Sequence, residues 1–302
     1  MITAAQPDGV PAVGSVTPSI GGGPTALRIL LGSQLRRLRE AKGISREQAG
    51  NVIRASESKI SRLETGRVGF KDRDLADLLT YYGVTDEGER EALRALARRA
   101  NTPGWWHNYS DILPSWFEAY LGLEEAAAQI RIYEIQFVPG LFQTEDYARA
   151  VTLLGFPTSP DAEIERRVSL RMTRQATLAR PDPPNLWVVL DEAVLRRPVG
   201  GADVMRAQLE HLLEASRQRN VTIQVIPFLA GGHAAAGGAF QILRFEESDL
   251  PDVVYMEQLT SALYLDKPEV VDSYLMVMER VCMEAATPAD SAKLIRSVLK
   301  EY

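Results

Sequence analysis

The chain has 302 residues and a formal net charge of −6, with 45% hydrophobic and 25% charged residues. This composition excludes a wholly disordered chain, a collagen-like chain and a disulfide scaffold, and the single cysteine, Cys282, excludes an internal disulfide. At about 100–200 residues per domain, the length predicts two domains or one large one.

The first 24 residues form a Pro- and Gly-rich segment without Lys or Arg. A signal peptide needs a basic start and a continuous apolar run, and this segment has neither. No stretch of 18 apolar residues follows, so the sequence predicts no membrane-spanning helix. We therefore expect residues 1–24 to be a disordered leader, and the lone cysteine indicates a cytoplasmic protein.

Charge is unevenly distributed along the chain. Residues 26–71 hold 11 basic and 4 acidic residues, a net of +7, whereas residues 105–302 hold 18 basic and 28 acidic residues, a net of −10. Phosphate binding needs positive charge, so the overall acidity alone argues against a nucleic-acid partner. The uneven distribution instead predicts a small basic module for nucleic acid, joined to a larger acidic module.

The basic module begins with two helical signals. Leucines at helical spacing predict a first helix over residues 27–42, which Gly43 ends because glycine readily adopts the left-handed conformation. Ser45, with Gln48 three residues later, forms a capping-box pattern. A second helix is therefore predicted from Ser45 to about Ile53.

Ser56 has the same capping role for a third helix, which the pattern places over residues 57–64, with Gly66 closing it. Two short helices separated by a few residues are typical of a helix-turn-helix. Residues 70–100 continue the module with two more amphipathic helices. The turn NTPGWW then predicts a domain boundary near Pro103–Gly104.

The segment GISREQAGNVIRASESKISRLETGR resembles the helix-turn-helix of Cro/cI-type (XRE) repressors, most specifically over Ser56 to Gly66. The resemblance implies an all-α, lambda-repressor-like domain over residues 25–103 that reads a double-stranded DNA operator. Gly50 stands where this family usually has Ala, and we expect either residue to be small enough for a close helix crossing. Since one recognition helix covers a half-site, we expect a homodimer on a palindromic operator.

In such a domain the third helix enters the major groove by its N-terminal end, and basic residues nearby bind phosphates. The candidate DNA-contacting residues are Arg46, Gln48, Ser56, Glu57, Ser58, Lys59, Ser61, Arg62 and Arg67. Glu64 is acidic within this basic face, and the resemblance implies a structural pair with Arg39 of the first helix. The alternative is a basic helical bundle that makes protein contacts.

The acidic module begins with helical patterns. We expect helices over residues 112–133 and 161–180, with a further helix between them that Thr144 caps. IYEIQFVPG (132–140) predicts a short extended stretch that ends in a Pro-Gly turn. The helix over 161–180 carries five arginines, for which we favour a solvated or acid-paired face over a second nucleic-acid surface. The arginines are Arg166, Arg167, Arg171, Arg174 and Arg180.

The rest of the acidic module predicts a sheet. A strand–helix–strand unit is predicted from LWVVLDE (186–192), an amphipathic helix over 202–219 and TIQVIPF (222–228). The two strands of such a unit should be parallel. Three short apolar segments follow at short intervals and predict antiparallel hairpins. Helices over 268–286 and 290–300 complete a mixed α/β domain over residues 104–302.

This module also has a resemblance. Five of its segments look like the C-terminal domain of many actinobacterial XRE regulators. They are FVPGLFQTEDYARA (137–150), LDEAVLRRPVGG (190–201), QLEHLL (208–213), TIQVIPF and VVYMEQL (253–259). That family is described as Scr-type, antitoxin-like regulators, often encoded beside a short acidic partner protein. The resemblance implies that residues 104–302 dimerise and bind such a partner or an effector.

Two other functions stay open. In one, the acidic domain binds a small metabolite. In the other, it is an enzyme: Asp191 and Glu192 follow a strand, Glu257 lies in another, and three carboxylates could hold Mg²⁺. Against the enzyme, no second carboxylate motif has metal spacing, and Asp191 and Glu192 could instead cap the next turn or pair with Arg196 or Arg197.

His233 lies in the Gly- and Ala-rich loop GGHAAAGG. It could touch a ligand, but we favour the interpretation of an exposed loop histidine. The loop lacks the lysine of a phosphate-binding loop. We expect no catalysis, no cofactor and no metal site in this protein.

Overall fold

The computed structural model describes residues 23–246 and 250–302. Most of the expected leader, residues 1–22, lies outside the described residues. The fold class expected from the sequence is confirmed: a helical N-terminal domain precedes a C-terminal domain with a six-stranded mixed sheet and helices. Within the described ranges, no helix is both long and apolar enough to cross a membrane.

Five helices form the N-terminal domain, and their ends follow the predicted caps. Ser45 and Gln48 make both hydrogen bonds of the capping box, and Ser56 caps the third helix. The first helix begins three residues earlier than the leucine pattern indicates, since Pro24 suits the first helical position. The helices are α1 (Pro24–Ala41), α2 (Arg46–Val52), α3 (Glu57–Glu64), α4 (Asp72–Tyr81) and α5 (Glu87–Ala100).

The crossing of α2 and α3 is tighter than expected. A Cβ atom built on Gly50 would lie 2.6 Å from the carbonyl oxygen of Ala55, a distance at which backbone must shift. The expectation that alanine would also be small enough at position 50 is therefore wrong unless the backbone at Ala55 shifts. Glycine suits this close approach because it has no Cβ atom, although its helix propensity is low.

The sheet of the C-terminal domain has the order β3-β2-β1-β4-β5-β6. Strands β1, β2 and β3 are parallel, and β4, β5 and β6 continue the sheet in antiparallel pairs, as the strand–helix–strand unit and the hairpins predict. The strands are β1 (Gln129–Glu134), β2 (Asn185–Asp191), β3 (Val221–Ile226), β4 (Phe240–Arg244), β5 (Val253–Glu257) and β6 (Ala262–Leu265).

Among the described residues, seven α-helices accompany the sheet; α11 covers one of its faces, and the others pack mainly on the opposite face. They are α6 (Ser115–Ala126), α7 (Glu145–Gly155), α8 (Asp161–Gln175), α9 (Glu192–Arg196), α10 (Ala202–Ala215), α11 (Pro268–Glu284) and α12 (Pro288–Leu299).

The helix expected over residues 112–133 ends at Ala126, and the strand β1 begins at Gln129, three residues before the extended stretch that the sequence predicts from Ile132. Ile130 and Ile132 are fully buried on one side of β1, which pairs with β2 on one edge and β4 on the other. Alternating β-branched residues suit this central strand. The expected helices over 161–180 and 202–219 also end earlier, at Gln175 and Ala215.

Helix α1 packs in both domains. Its second half contributes Leu31 and Leu35 to the core of the N-terminal domain. Its first half buries Leu27 and Leu30 in a cluster that also contains Leu250 of the C-terminal domain. Helix α1 therefore fixes the N-terminal domain against the sheet domain.

The interior of the C-terminal domain holds a buried ion pair between Glu124 of α6 and Arg174 of α8, at 2.8 and 3.0 Å. The other arginines of the α8 region are also hydrogen-bonded within the domain. Their partners are Asp111 for Arg166, Glu163 for Arg167, Gln143 for Arg171 and the backbone oxygen of Glu125 for Arg180. This arrangement favours internal pairing over a second nucleic-acid surface.

Glu134, at the end of β1, predicts a pH dependence of stability. Burial, reinforced by the nearby Glu257, raises the pKa of Glu134 from 4.5 to about 8. Between these values the folded state retains a proton that the unfolded state has lost, so the free energy of unfolding falls as pH rises. The contribution is complete below about pH 4.5 and lost through about pH 8.

We therefore expect Glu134→Gln to flatten the pH dependence. Denaturant unfolding of the wild type and the variant between pH 5 and about pH 9 measures this. The difference between their free energies of unfolding should grow by at most about 1.4 kcal/mol per pH unit. A constant difference across this range would contradict the raised pKa.

Candidate nucleic-acid interface

The Glu64 carboxylate, at the end of α3, holds the helix-turn-helix against α1. Arg39 donates to it through Nε at 2.5 Å and Nη2 at 3.1 Å, and donates to the backbone oxygen of Ile44 through Nη1. Both side chains are buried, and the hydrogen bond to Glu64 raises the pKa of Arg39. The two residues that the sequence assigns to a structural pair thus lie in contact.

Arg46 also belongs to this group. Its Nε donates to Glu64 at 3.1 Å, although its side chain is 35% exposed. The sequence assigns Arg46 to a phosphate, and the structure places it at the edge of the buried pair, where part of its guanidinium still faces solvent. Arg39 also donates to Glu40 at 3.3 Å, so the two arginines are shared between the buried Glu64 and the exposed Glu40.

Two of the candidate residues are engaged as helix caps. The Gln48 side chain accepts a hydrogen bond from the Ser45 backbone at 2.8 Å, and Ser56 Oγ accepts one from the Lys59 backbone at 3.3 Å. Both side chains are exposed. Their capping bonds fix the starts of α2 and α3, which is where the free backbone N–H groups of a helix can meet phosphate.

The outer face of α3 presents Glu57, Ser58 and Arg62 to solvent, and Ser61 is half-buried. Arg62 folds back so that its Nε donates to the Ser58 backbone oxygen at 3.3 Å. This contact is long and exposed, so the guanidinium can extend to a base edge. The face as a whole is polar and open along the first two turns of α3.

Lys59 is oriented differently from its neighbours. Its Nζ lies 2.6 Å from Asp74 Oδ2 on α4, and its side chain is only 30% exposed. This partner could not be identified from the sequence, because the helix dipole explains an acid in the first turn of α4 equally well. In this structure Lys59 links α3 to α4.

Arg67, in the loop after α3, is exposed and lies beside the C-terminal domain. Burial raises the pKa of the Tyr264 hydroxyl on β6, and Arg67 is close enough to oppose that rise. This predicted phosphate contact therefore stands where the two domains meet.

The carboxylates of the C-terminal domain have structural partners. Asp191 caps α9 through the Ala193 N–H, and Glu192 is buried, accepting from Arg196 at 2.6 Å and from the Phe228 N–H at 2.8 Å. Glu257 is exposed and accepts from Tyr255 at 3.0 Å. Across the described part of the chain, no group of three or more His, Cys, Asp or Glu could hold a metal ion.

The interpretation of His233 as an exposed loop residue is wrong. Its side chain is 16% exposed, and its Nε2 lies 3.1 Å from the Tyr133 hydroxyl and 3.9 Å from Asp191. The Gly- and Ala-rich loop folds back over the ends of β1 and β2, so the ring packs against Tyr133.

The geometry around Glu64 makes a stability prediction. Arg39→Ala leaves the buried carboxylate with Arg46 alone, so the free energy of unfolding should fall by about 3–5 kcal/mol. Chemical denaturation measures this fall in the free energy of unfolding. As a control, Arg36→Ala removes an exposed pair with Glu40 and should change stability by less than about 1 kcal/mol. Unaltered unfolding of Arg39→Ala together with weaker DNA binding would identify Arg39 as a DNA contact instead.

Comparison with known families covers most of the described chain. The family described as a helix-turn-helix domain matches residues 30–93, from within α1 to within α5. The family described as a domain of unknown function (DUF5753) matches residues 117–297, from α6 to α12. No curated protein and no solved structure matched the chain. The chain belongs to the DUF5753 family and carries a helix-turn-helix domain at its N-terminal side.

Proposed function

We propose that the protein is a sequence-specific DNA-binding transcriptional regulator of the XRE type. The observation that carries this proposal is the helix-turn-helix itself: α3 is fixed by the Glu64 pair and presents an open polar face. The net charge of +7 over residues 26–71 supplies the attraction to phosphate. A basic bundle for protein contacts would need none of this arrangement at the start of α3.

The C-terminal domain supplies dimerisation and receives the signal. A homodimer suits a palindromic operator, since each recognition helix covers one half-site. The signal is a protein partner, for which the family resemblance indicates a short acidic protein encoded nearby. Leu229 and Leu259 are almost fully exposed on this domain, but single exposed leucines are common on protein surfaces, so the family resemblance alone favours a protein partner over a metabolite.

No catalysis is required for this function. Asp191 and Glu192 act as a helix cap and a buried ion pair, which accounts for both acids without a reaction. A regulator of this kind works in the cytoplasm, in contact with the nucleoid. Partner binding would alter DNA affinity by changing the spacing of the two DNA-binding domains.

Recovery of DNA and proteins bound to the regulator in its native cell tests the proposal as a whole. Enrichment of a short palindromic sequence supports the DNA-binding function, and co-recovery of a short acidic protein supports the partner. Random genomic fragments without enrichment would contradict sequence-specific binding.

Arg62→Ala tests the recognition face. If Arg62 contacts a base, the substitution should weaken binding to the recovered operator by about 1–3 kcal/mol and relax the preference at one position. Fluorescence anisotropy with operator variants measures both. Arg62→Lys keeps the charge but loses the paired hydrogen bonds of the guanidinium, so it should also lose the preference. Unchanged affinity and preference in Arg62→Ala would remove this residue from the interface.

The oligomeric state gives a separate prediction. Sedimentation should show a dimer in solution, and footprinting should show two half-sites separated by one helical turn, about 34–36 Å, or a multiple of it. A monomer that protects a single half-site would contradict the proposed mechanism while leaving DNA recognition intact.

A further inference from the structure

The turn between α2 and α3 contains a residue whose backbone conformation is unfavourable for its side chain. Arg54 has a φ of +53°, and it is the one residue other than glycine with a positive φ in the described part of the chain. The turn is well ordered by its own hydrogen bonds, since the Ala55 N–H donates to the Gly50 oxygen at 2.9 Å. A left-handed residue with a Cβ atom is disfavoured, and such strain is concentrated at functional positions.

The same domain shows what this chain normally places after a helix. The residues with positive φ that follow α1, α3 and α4 are Gly43, Gly66 and Gly83, at +65°, +68° and +76°. Glycine is the usual residue at this position because it has no Cβ atom. Only after α2 does the domain, as described, use arginine, so the side chain of Arg54 needs an explanation that the helix end does not provide.

The location of Arg54 points to the DNA. It stands two residues before Ser56, the N-cap of the recognition helix, and its side chain is exposed. It borders a cleft of about 470 Å³ between the end of α2 and the outer face of α4. The backbone of DNA that enters at the start of α3 would pass beside this turn.

The charges around the cleft leave Arg54 as the uncompensated cation. Asp74 is paired with Lys59 at 2.6 Å, and Asp77 lies 3.9 Å from Arg73. No ion pair of the Arg54 side chain occurs among the described residues. An exposed arginine without an internal partner is available for an external anion.

We propose that Arg54 binds a DNA backbone phosphate beside the start of α3 and thereby fixes the recognition helix in the groove. The inference rests on the proposed DNA-binding function and adds a contact that neither the motif nor the family resemblance assigns. The Arg54 side chain is exposed two residues before the N-cap of α3, and the phosphate contact gives a reason for an arginine at a position where the other helices of the domain use glycine.

Three variants of the full chain separate charge from backbone strain. Arg54→Gly removes both, Arg54→Gln removes the charge alone, and Arg54→Lys retains both. The affinity of each variant is measured for the operator recovered by the wild-type protein and for a random duplex, over a series of salt concentrations. Arg98→Gln is the matched control, because Arg98 lies on α5 and pairs with Glu91 at 2.6 Å.

A plot of log affinity against log salt concentration has a negative slope, and the loss of one phosphate contact should make that slope less steep by about 0.9 per bound copy. Affinity at 0.1 M salt should then fall roughly eightfold per copy, on the operator and on the random duplex alike. We expect this for Arg54→Gly and Arg54→Gln but not for Arg54→Lys or Arg98→Gln. Arg54→Gly should also keep or raise the melting temperature, because it relieves the strained turn.

An unchanged salt slope in Arg54→Gln and Arg54→Gly would overturn the phosphate contact while the wild-type slope still supported DNA binding. A loss confined to the operator would also overturn it, since a phosphate contact carries no sequence preference. If the wild-type protein bound neither duplex in a salt-dependent way, the proposed function itself would fail, and the Arg54 contact with it.

Discussion

The position of the DNA-binding domain depends on helix α1, which packs in two cores at once. Leu31 and Leu35 lie in the N-terminal core, while Leu27 and Leu30 face the C-terminal domain. At its first turn, α1 approaches α6 so closely that a Cβ atom on Gly122 would overlap the Thr25 side chain, at 1.9 Å. Since packed interfaces of this kind do not deform continuously, any movement of α6 must displace α1 as a unit.

The same helix α6 reaches the polar interior of the C-terminal domain. Glu124 on α6 accepts two hydrogen bonds from Arg174, and Tyr120 donates to Glu124 at 2.7 Å. A buried carboxylate with these partners resists displacement, because losing any of them leaves a desolvated charge. The α6 side chains therefore couple α8 to α1, and through α1 to the recognition helix. If the C-terminal domain receives a signal, as proposed, this continuous packing offers a physical connection from it to the helix-turn-helix.

The sequence predicted the features that depend on local chemistry. Ser45, Gln48 and Ser56 cap helices because their side chains satisfy backbone groups a few residues away, and such bonds require no knowledge of the fold. The parallel pairing of β2 and β3 follows from chain connectivity for a similar reason. The DNA-contacting role of the nine candidate residues stays a prediction.

The features that the sequence missed depend on distant parts of the chain. The strand β1 begins at Gln129, before the predicted extended stretch, because β2 and β4 flank it there, and the helical pattern of the preceding residues concealed this start. The Lys59–Asp74 contact and the burial of His233 likewise arise from elements brought together only by folding. The close approach of the Ala55 oxygen to Gly50 is also a property of the folded turn, and helix propensity alone does not reveal it.

The charge division between the domains has a geometrical consequence at Arg67. This residue lies beside Tyr264, so the basic face adjoins the β5–β6 hairpin, which carries exposed Glu257 and half-buried Asp266. At physiological ionic strength, charges act over about 8 Å, so only acids this close to the face influence DNA. If DNA binds the basic face, as proposed, any carboxylate of this hairpin within that range repels a duplex that extends past Arg67, which favours an approach at the start of α3. The acidity of the C-terminal domain would then restrict the orientation of DNA, because the packing of α1 in both domains holds them in one arrangement.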